Sequence, residues 1–324
     1  MRSSTLLSLA TLFVLAASAQ AEAPAADSAF DNADEAARQS SNPLGGDFLI
    51  MLNQFDNYFL QGDATGRSRS VNSWAFQPVV PLPMNEVIGE NWILVNRPTI
   101  PIILNAEIPN IGALSGGGPP TIPPDQPPPP VPNGRFETEN GLGDIVMFNL
   151  LGQSIPTESA GGGDLVWGVG PTWQFPSASD DVLGSGKYQV GPAAVGAFIG
   201  RDFILGGLFQ HWEDFASGGK GLDQGVSFSW LNVFYFVNLP GGWQFGGTPV
   251  ITSDWEADNE DRWTVPIGLG VYKTQIFGKM PIKMGMEMQY MPIRPDFYGQ
   301  EFNIRFVVAP VLPSPFGSFV PPEG

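Results

Sequence analysis

The chain is expected to fold as an all-β transmembrane barrel, an antiparallel up-and-down sheet of about 12 strands. Three observations predict it. From Met280 the side chains alternate: Pro281, Lys283, Gly285, Glu287 and Gln289 lie on one face, Met280, Ile282, Met284, Met286, Met288 and Tyr290 on the other. After a turn at Arg294–Gly299 the pattern resumes, with Glu301, Asn303 and Arg305 opposite Phe302, Ile304, Phe306 and Val308. Period-two alternation marks extended strands, and about 10 residues is the length a tilted strand needs to cross a bilayer. The second observation is the start of the chain. Met1-Arg2, an apolar run over Thr5–Ala17 and Ser18-Ala19-Gln20-Ala21 have the form of a secretory signal cleaved after Ala21. The third is that no later segment offers 18 continuous apolar residues, so no spanning helix is expected.

Composition bounds the reading further. The net charge is -17, and removing a signal that carries only Arg2 leaves -18 on the 303 residues from Glu22. An acidic chain is a poor partner for nucleic acid, and the expected partners are outer-membrane lipid and lipopolysaccharide. Cysteine is absent, so stability must come from something other than disulfides, and the hydrogen-bonded closure of a barrel supplies it. This length suits one domain.

In chain order, 22–46 is rich in Ala, Ser, Asp and Asn. It fits a helix over Ser28–Arg38 with little to anchor it, and is expected to be a mobile periplasmic linker. The barrel is expected over 47–312, its strands at 47–60, 70–82, 91–104, 142–152, 164–176, 187–199, 202–213, 225–238, 243–255, 263–276, 280–292 and 301–312. Connections after even strands include three tight turns, Gly200-Arg201, Leu239–Gly242 and Phe277–Lys279, whereas no connection after an odd strand is as short. Short periplasmic turns and long outer loops are the asymmetry of outer-membrane barrels. The connections at 83–90 and 153–163 break that rule. The 105–141 loop holds ten prolines between Pro109 and Asn133; such a run cannot join a sheet, and a solvated extracellular loop is expected. A tail follows at 313–324.

Aromatic residues cluster near strand ends, and Trp167, Trp173, Trp243, Trp263 and Tyr290 are the candidates for girdles at the two membrane interfaces. Lys273 falls on the lipid-side parity of its strand, where it would snorkel to an interface. The inventory for catalysis is thin. His211 is the one histidine, a rim residue beside Glu213 and Asp214, and no enzyme is expected. The acidic loop Asp254–Arg262 lacks the spacing of a calcium-binding hand, and neither metal nor cofactor is expected. The functional candidates are the lumen-facing Lys283, Glu287, Gln289, Glu301, Asn303 and Arg305. Mixed charges there either line a pore and set its selectivity or pair into a network that plugs it.

Gly141-Leu-Gly-Asp144, Trp167-Gly-Val-Gly-Pro171 through Phe175-Pro176, Asp180-Asp181, Leu183-Gly-Ser-Gly-Lys187 and Gly191-Pro192 resemble outer-membrane transporters labelled "MetA-pathway of phenol degradation", whose relatives are sometimes mislabelled neuromedin U. Pro249–Asp258 and Arg262–Pro266 are similar as well, and the resemblance covers about Asn42 to Leu312, apart from the Pro-rich insertion. It implies a barrel passing small aromatic or hydrophobic solutes and supplies no ligand residues. The chain also departs from the usual terminal-aromatic ending, leaving Phe306, Phe316 and Phe319 as alternative signals to the barrel-assembly machinery. The expected function is a passive or ligand-selective small-molecule channel of the outer membrane. The alternative is a non-conducting structural or adhesive barrel that works through its outer loops.

Overall fold

The computed structural model describes residues 32–62, 68–109, 136–158, 161–221, 225–296 and 298–316. The signal at 1–21, the centre of the Pro-rich loop and Phe319 lie outside the described residues. A short helix α1 (Ala33–Gln39) precedes the strands. They are β1 (Phe48–Gln61), β2 (Arg69–Pro83), β3 (Trp92–Pro109), β4 in two parts (Phe136–Leu142 and Ile145–Thr157), β5 (Gly163–Phe175), β6 (Ser185–Gly200) and β7 (Phe203–Gly221). Then come β8 (Ser227–Leu239), β9 in two parts (Trp243–Gly247 and Val250–Asp254), β10 (Trp263–Phe277), β11 (Met280–Ile293) and β12 (Gly299–Pro313). Each pairs antiparallel with its neighbours in sequence, and β12 returns to pair with β1, from Phe48↔Pro313 to Gln61↔Gly299. The sheet is therefore a closed barrel of 12 strands, which leaves no open edge.

The expected strands all appear, with two kinds of difference. Some run further toward the long-loop end: β3 reaches Pro109, β4 begins at Phe136, and β7 reaches Gly221 rather than 213. The extensions pack on one another there. Arg69 ion-pairs Glu107 at 3.4 Å and covers the Phe136 ring at 3.6 Å, while the Tyr298 hydroxyl donates to the Glu107 carbonyl. At the other end β4 runs to Thr157, which trims the long 153–163 connection.

Two strands expected to be continuous are broken. In β4 the break falls at Gly143-Asp144. The buried Asp144 carboxylate accepts from the Ser185 amide at 2.7 Å, the Ser185 hydroxyl at 2.8 Å and the Ala178 amide at 3.2 Å, drawing the 177–185 loop onto the strand. A Cβ at Gly184 would press on the same carboxylate at 2.6 Å. The Gly-Leu-Gly-Asp signature is thus a loop anchor. Asp144→Ala is expected to lower stability by about 2–3 kcal/mol, because it orphans several donors at once; the urea midpoint in lipid vesicles measures it. The break in β9, at Thr248-Pro249, belongs to the interior.

Candidate functional site

Closure sends alternate residues of every strand inward. Those of β11, β12 and β1 include Lys283, Glu287, Gln289, Asn303, Arg305 and Asp56, all buried. The facing wall, from β3 to β8, presents Val95, Phe148, Leu150, Val166, Val195, Ile199, Leu208, Phe234 and Phe236. A polar lumen was expected all round. The interior instead has one polar wall and one largely apolar wall, into which Arg97, Thr172, Gln189 and Gln210 also point.

On the polar wall Glu287 lies opposite Arg305, and Gln289 opposite Asn303. Arg305 nonetheless ion-pairs Asp56 of β1, Nε to Oδ1 at 2.8 Å. Asp56 also accepts from Asn303 at 2.7 Å and from Gln54 at 2.6 Å. Glu287, fully buried, accepts from Tyr272 at 2.6 Å, Gln289 at 2.7 Å, and the Thr248 hydroxyl and amide at 3.0 Å. Among the six expected lumen residues Glu301 stands apart: it lies toward the long-loop end and bonds Arg294 at 3.4 Å. The expected cluster is a network, and Asp56, Thr248 and Tyr272 are members the sequence did not disclose.

Thr248 explains the break in β9. Pro249 has no amide hydrogen to give a ladder, and Gly246-Gly247 lets the strand bend inward. Arg305 Nη1 donates to the Thr248 carbonyl at 2.8 Å, Asn232 Nδ2 donates to it at 3.1 Å, and the Val233 amide donates to the Pro249 carbonyl at 3.0 Å. The ladder between β9 and β10 stops at Gly246↔Gly270 and resumes at Thr252↔Thr264. Residues 247–251 and 265–269 thus face each other unpaired. Tyr235, on the outward face of β8, crosses this seam and donates its hydroxyl to the Gly268 carbonyl. On the inside Glu287 reaches over Gly268 to Thr248. A Cβ at Gly268 would collide with its carboxylate, and one at Gly247 would sit 3.0 Å from it.

The segment expected to be a mobile linker is, over 32–46, docked in the short-turn end of the barrel. Asn32 caps α1, accepting from the Glu35 amide at 2.9 Å. Ala36, Ala37 and Leu44 are buried in the apolar core. Arg38 ion-pairs Asp164 of β5 at 2.7 Å and donates to the Ile199 carbonyl of β6 at 3.2 Å. Ser41 meets Lys283 of β11 at 2.6 Å and Gln244 of β9 at 3.2 Å, and Asp34 accepts from the Gly242 amide. Partners on so many strands mean that the segment crosses the mouth. The composition misled because the anchors, Asp164 and Lys283, are distant in sequence.

Burial pulls the Glu35 carboxyl upward, but hydrogen bonds from Arg38 and Gln39 and the Arg38 charge outweigh it and hold the group below its ordinary 4.5. The Glu35 hydrogen bond in turn raises the Arg38 guanidinium. A depressed carboxyl stabilises the docked form above its free pKa and loses that contribution as pH falls through the lowered value. α1 is therefore expected to loosen on acidification below 4.5. A nitroxide on Ala33→Cys should sharpen its spectrum between pH 7 and about pH 3.5, and Glu35→Gln should flatten that response.

From α1 past the network toward the long loops the lumen holds a cavity of about 490 Å³. Phe148, Leu208, Phe228, Trp230 and Phe236 line it together with Arg97, Lys283, Arg305 and Asp56.

The girdle candidates Trp167, Trp173, Trp243, Trp263 and Tyr290 all take the outward parity, Trp167 and Trp243 toward the short turns and the others toward the long loops. Trp212 and Trp230, also near strand ends, instead point inward and pack edge to face at 5.2 Å. Lys273 is outward, 5.0 Å over the Trp243 ring, and donates to the Gly241 carbonyl. His211 meets Ser229 at 2.9 Å and Glu213 at 3.0 Å, while Trp255 donates to the same Ser229 hydroxyl at 2.8 Å. That set is a cross-strand tie on the outer face. Among the described residues no group of three or more His, Cys, Asp or Glu side chains could hold a metal.

The fold defines a class, the closed antiparallel barrel with apolar outward faces. No protein-family model matches the chain, and no curated protein matches it. Among solved structures, the COG4313 outer membrane channel from Pseudomonas putida F1 aligns over 90% of this chain and 100% of its own, with a TM-score of 0.56 at 12% identity. That likeness shows the fold. A Pseudomonas aeruginosa FadL homologue (TM-score 0.33, 10% identity, 86% of this chain and 94% of that one) is shallower. So is the P. putida toluene transporter TodX (TM-score 0.33, 8% identity, 84% and 92%), and neither carries an argument.

Proposed function

We propose that this chain is a bacterial outer-membrane barrel, exported by its first 21 residues, whose lumen passes small aromatic or hydrophobic molecules when the N-terminal segment leaves its mouth. The observation that carries this reading is the cavity of about 490 Å³, walled on one side by apolar side chains inside a barrel that is also apolar outside. A barrel needing only stability would fill that space. Outward Ile267, Leu269 and Met288, each at least half exposed, fit lipid contact. The outward tryptophans and Tyr290 fit girdles at the headgroup levels. The resemblance to the phenol-degradation transporters agrees, as does the fold of a neighbour described as an outer membrane channel. Segment 47–312 is then the barrel, 105–141 an extracellular loop and 313–324 a tail. Outer-membrane lipid, lipopolysaccharide and the barrel-assembly machinery are its partners, and no enzyme activity is assigned.

One observation favours the second reading, a non-conducting barrel that works through its outer loops: the docked segment and the Glu287–Arg305 network obstruct the lumen as it stands. Planar-bilayer current through the chain with and without residues 22–44 separates the two. Long-lived conductance steps on removal of the segment support the conduit, and a folded but silent truncated barrel overturns it.

A further inference from the structure

The charges facing the cavity are unbalanced in a direction opposite to that of the whole chain. Four charged side chains line it: Asp56, Arg97, Lys283 and Arg305. Asp56 is spent, since it accepts from Arg305, Asn303 and Gln54. Glu287 does not line the cavity, and its acceptors are filled by Thr248, Tyr272 and Gln289. Arg305 is matched by Asp56. Arg97 and Lys283 remain, and neither has a carboxylate partner among the described residues. Among the described residues Arg97 donates only to the Gln77 amide oxygen and its Nε has no hydrogen-bond partner, while the guanidinium carbon lies 5.6 Å from the Phe148 ring centroid. Lys283, 5% exposed, gives one hydrogen bond, to Ser41, and sits 4.3 Å over the Phe236 ring.

A buried cation costs free energy unless an anion or several dipoles answer it. Two such cations in an apolar-lined space favour a guest that brings a negative charge and an apolar body together. We infer that the lumen is a binding site for amphipathic monoanions, aromatic carboxylates above all, with Arg97 and Lys283 as the two cations open to a carboxylate and the cavity's aromatic and aliphatic side chains as the seat of the ring. This deepens the proposed function and rests on the reading of the cavity as a solute site. A neutral phenol-like solute would fill the same volume and leave both cations unanswered.

The test is equilibrium binding to the full-length protein in lipid nanodiscs, read by quenching of tryptophan emission; Trp230 lines the cavity. The probes are 4-nitrobenzoate and its neutral isostere 4-nitrobenzamide. Wild type should hold the anion at least about 10-fold tighter, the ratio that about 1.4 kcal/mol of ion pairing gives. In Arg97→Gln/Lys283→Gln the ratio should fall to about 1, whereas Arg97→Lys and Lys283→Arg should retain a preference. Heat-modifiable gel mobility certifies that each variant is folded. Equal wild-type affinities, or an anion preference that survives in the folded double variant, would overturn the inference. The ratio is independent of flux. A retained ratio with no current through the truncated barrel would sink the conduit and leave the anion site standing; current with a ratio of one would do the reverse.

Discussion

Replacing Glu287 by alanine is expected to destabilise the barrel by about 3–5 kcal/mol, the range seen when one member of a buried charged network is removed. The effect is large because this fully buried carboxylate answers four donor groups, on Thr248, Tyr272 and Gln289. Its loss leaves all four without that acceptor at once. Glu287→Gln keeps the shape and one acceptor oxygen, so its cost should be about 1–2 kcal/mol. The order of the two urea midpoints in lipid vesicles is the diagnostic. If alanine and glutamine cost the same, the network is held by Arg305 and Asp56 alone. A wild-type midpoint for both would mean that the inward bend at Thr248 needs no carboxylate.

Deleting residues 22–44 is expected to raise the mean current by about 100-fold. Burying Leu44 is worth about 1.5–3 kcal/mol, and the Arg38–Asp164 pair, partly exposed, adds at most about 1. A docked-to-free ratio of about 100 corresponds to about 2.7 kcal/mol. The current should also lose its acid sensitivity, because Glu35 leaves with the segment. A truncated barrel that still responds to acid would place the pH-sensing group in the wall.

How much of this was legible follows from how each strand meets its surroundings. β11 and β12 could be read residue by residue because one face is charged and the other apolar, so parity alone fixes which way Glu287 and Arg305 point. Between β3 and β8 the outward face is apolar, as at Leu165 and Val169, and the inward face mixes apolar Val195 and Ile199 with Arg97, Thr172, Gln189 and Gln210. Alternation there carries little information, and the inward turn of Trp212 and Trp230 was invisible. Asp56 and Arg97 lie on early strands where polar and apolar residues mix on one face. The docking of α1 depends on Asp164 and Lys283, far along the chain, and no local pattern reports such contacts. The break in β9 did leave a trace. Two glycines followed closely by Pro249 are poor material for a strand interior, but the strongly strand-like flanks mask that trace.

The unpaired stretch between β9 and β10 has a mechanical consequence. A cylinder of hydrogen bonds is tough because no row can part before its neighbours, yet here five residues on each side have no row to share. In the hydrocarbon of the proposed membrane a loose peptide group costs several kcal/mol, and this part of the wall is held shut by Tyr235, Glu287 and Arg305, which reach across it. The hoop therefore has a rivet at its longest gap, where other seams have shorter ones, such as 77–79 against 97–99. The place where sequence begins and ends in the ring, β12 against β1, is paired from Phe48↔Pro313 to Gln61↔Gly299, with a bulge at Phe59/Leu60. When heat or denaturant splits the barrel, the tear is expected to start at the rivet, so that the sheet unrolls from its middle rather than from its termini.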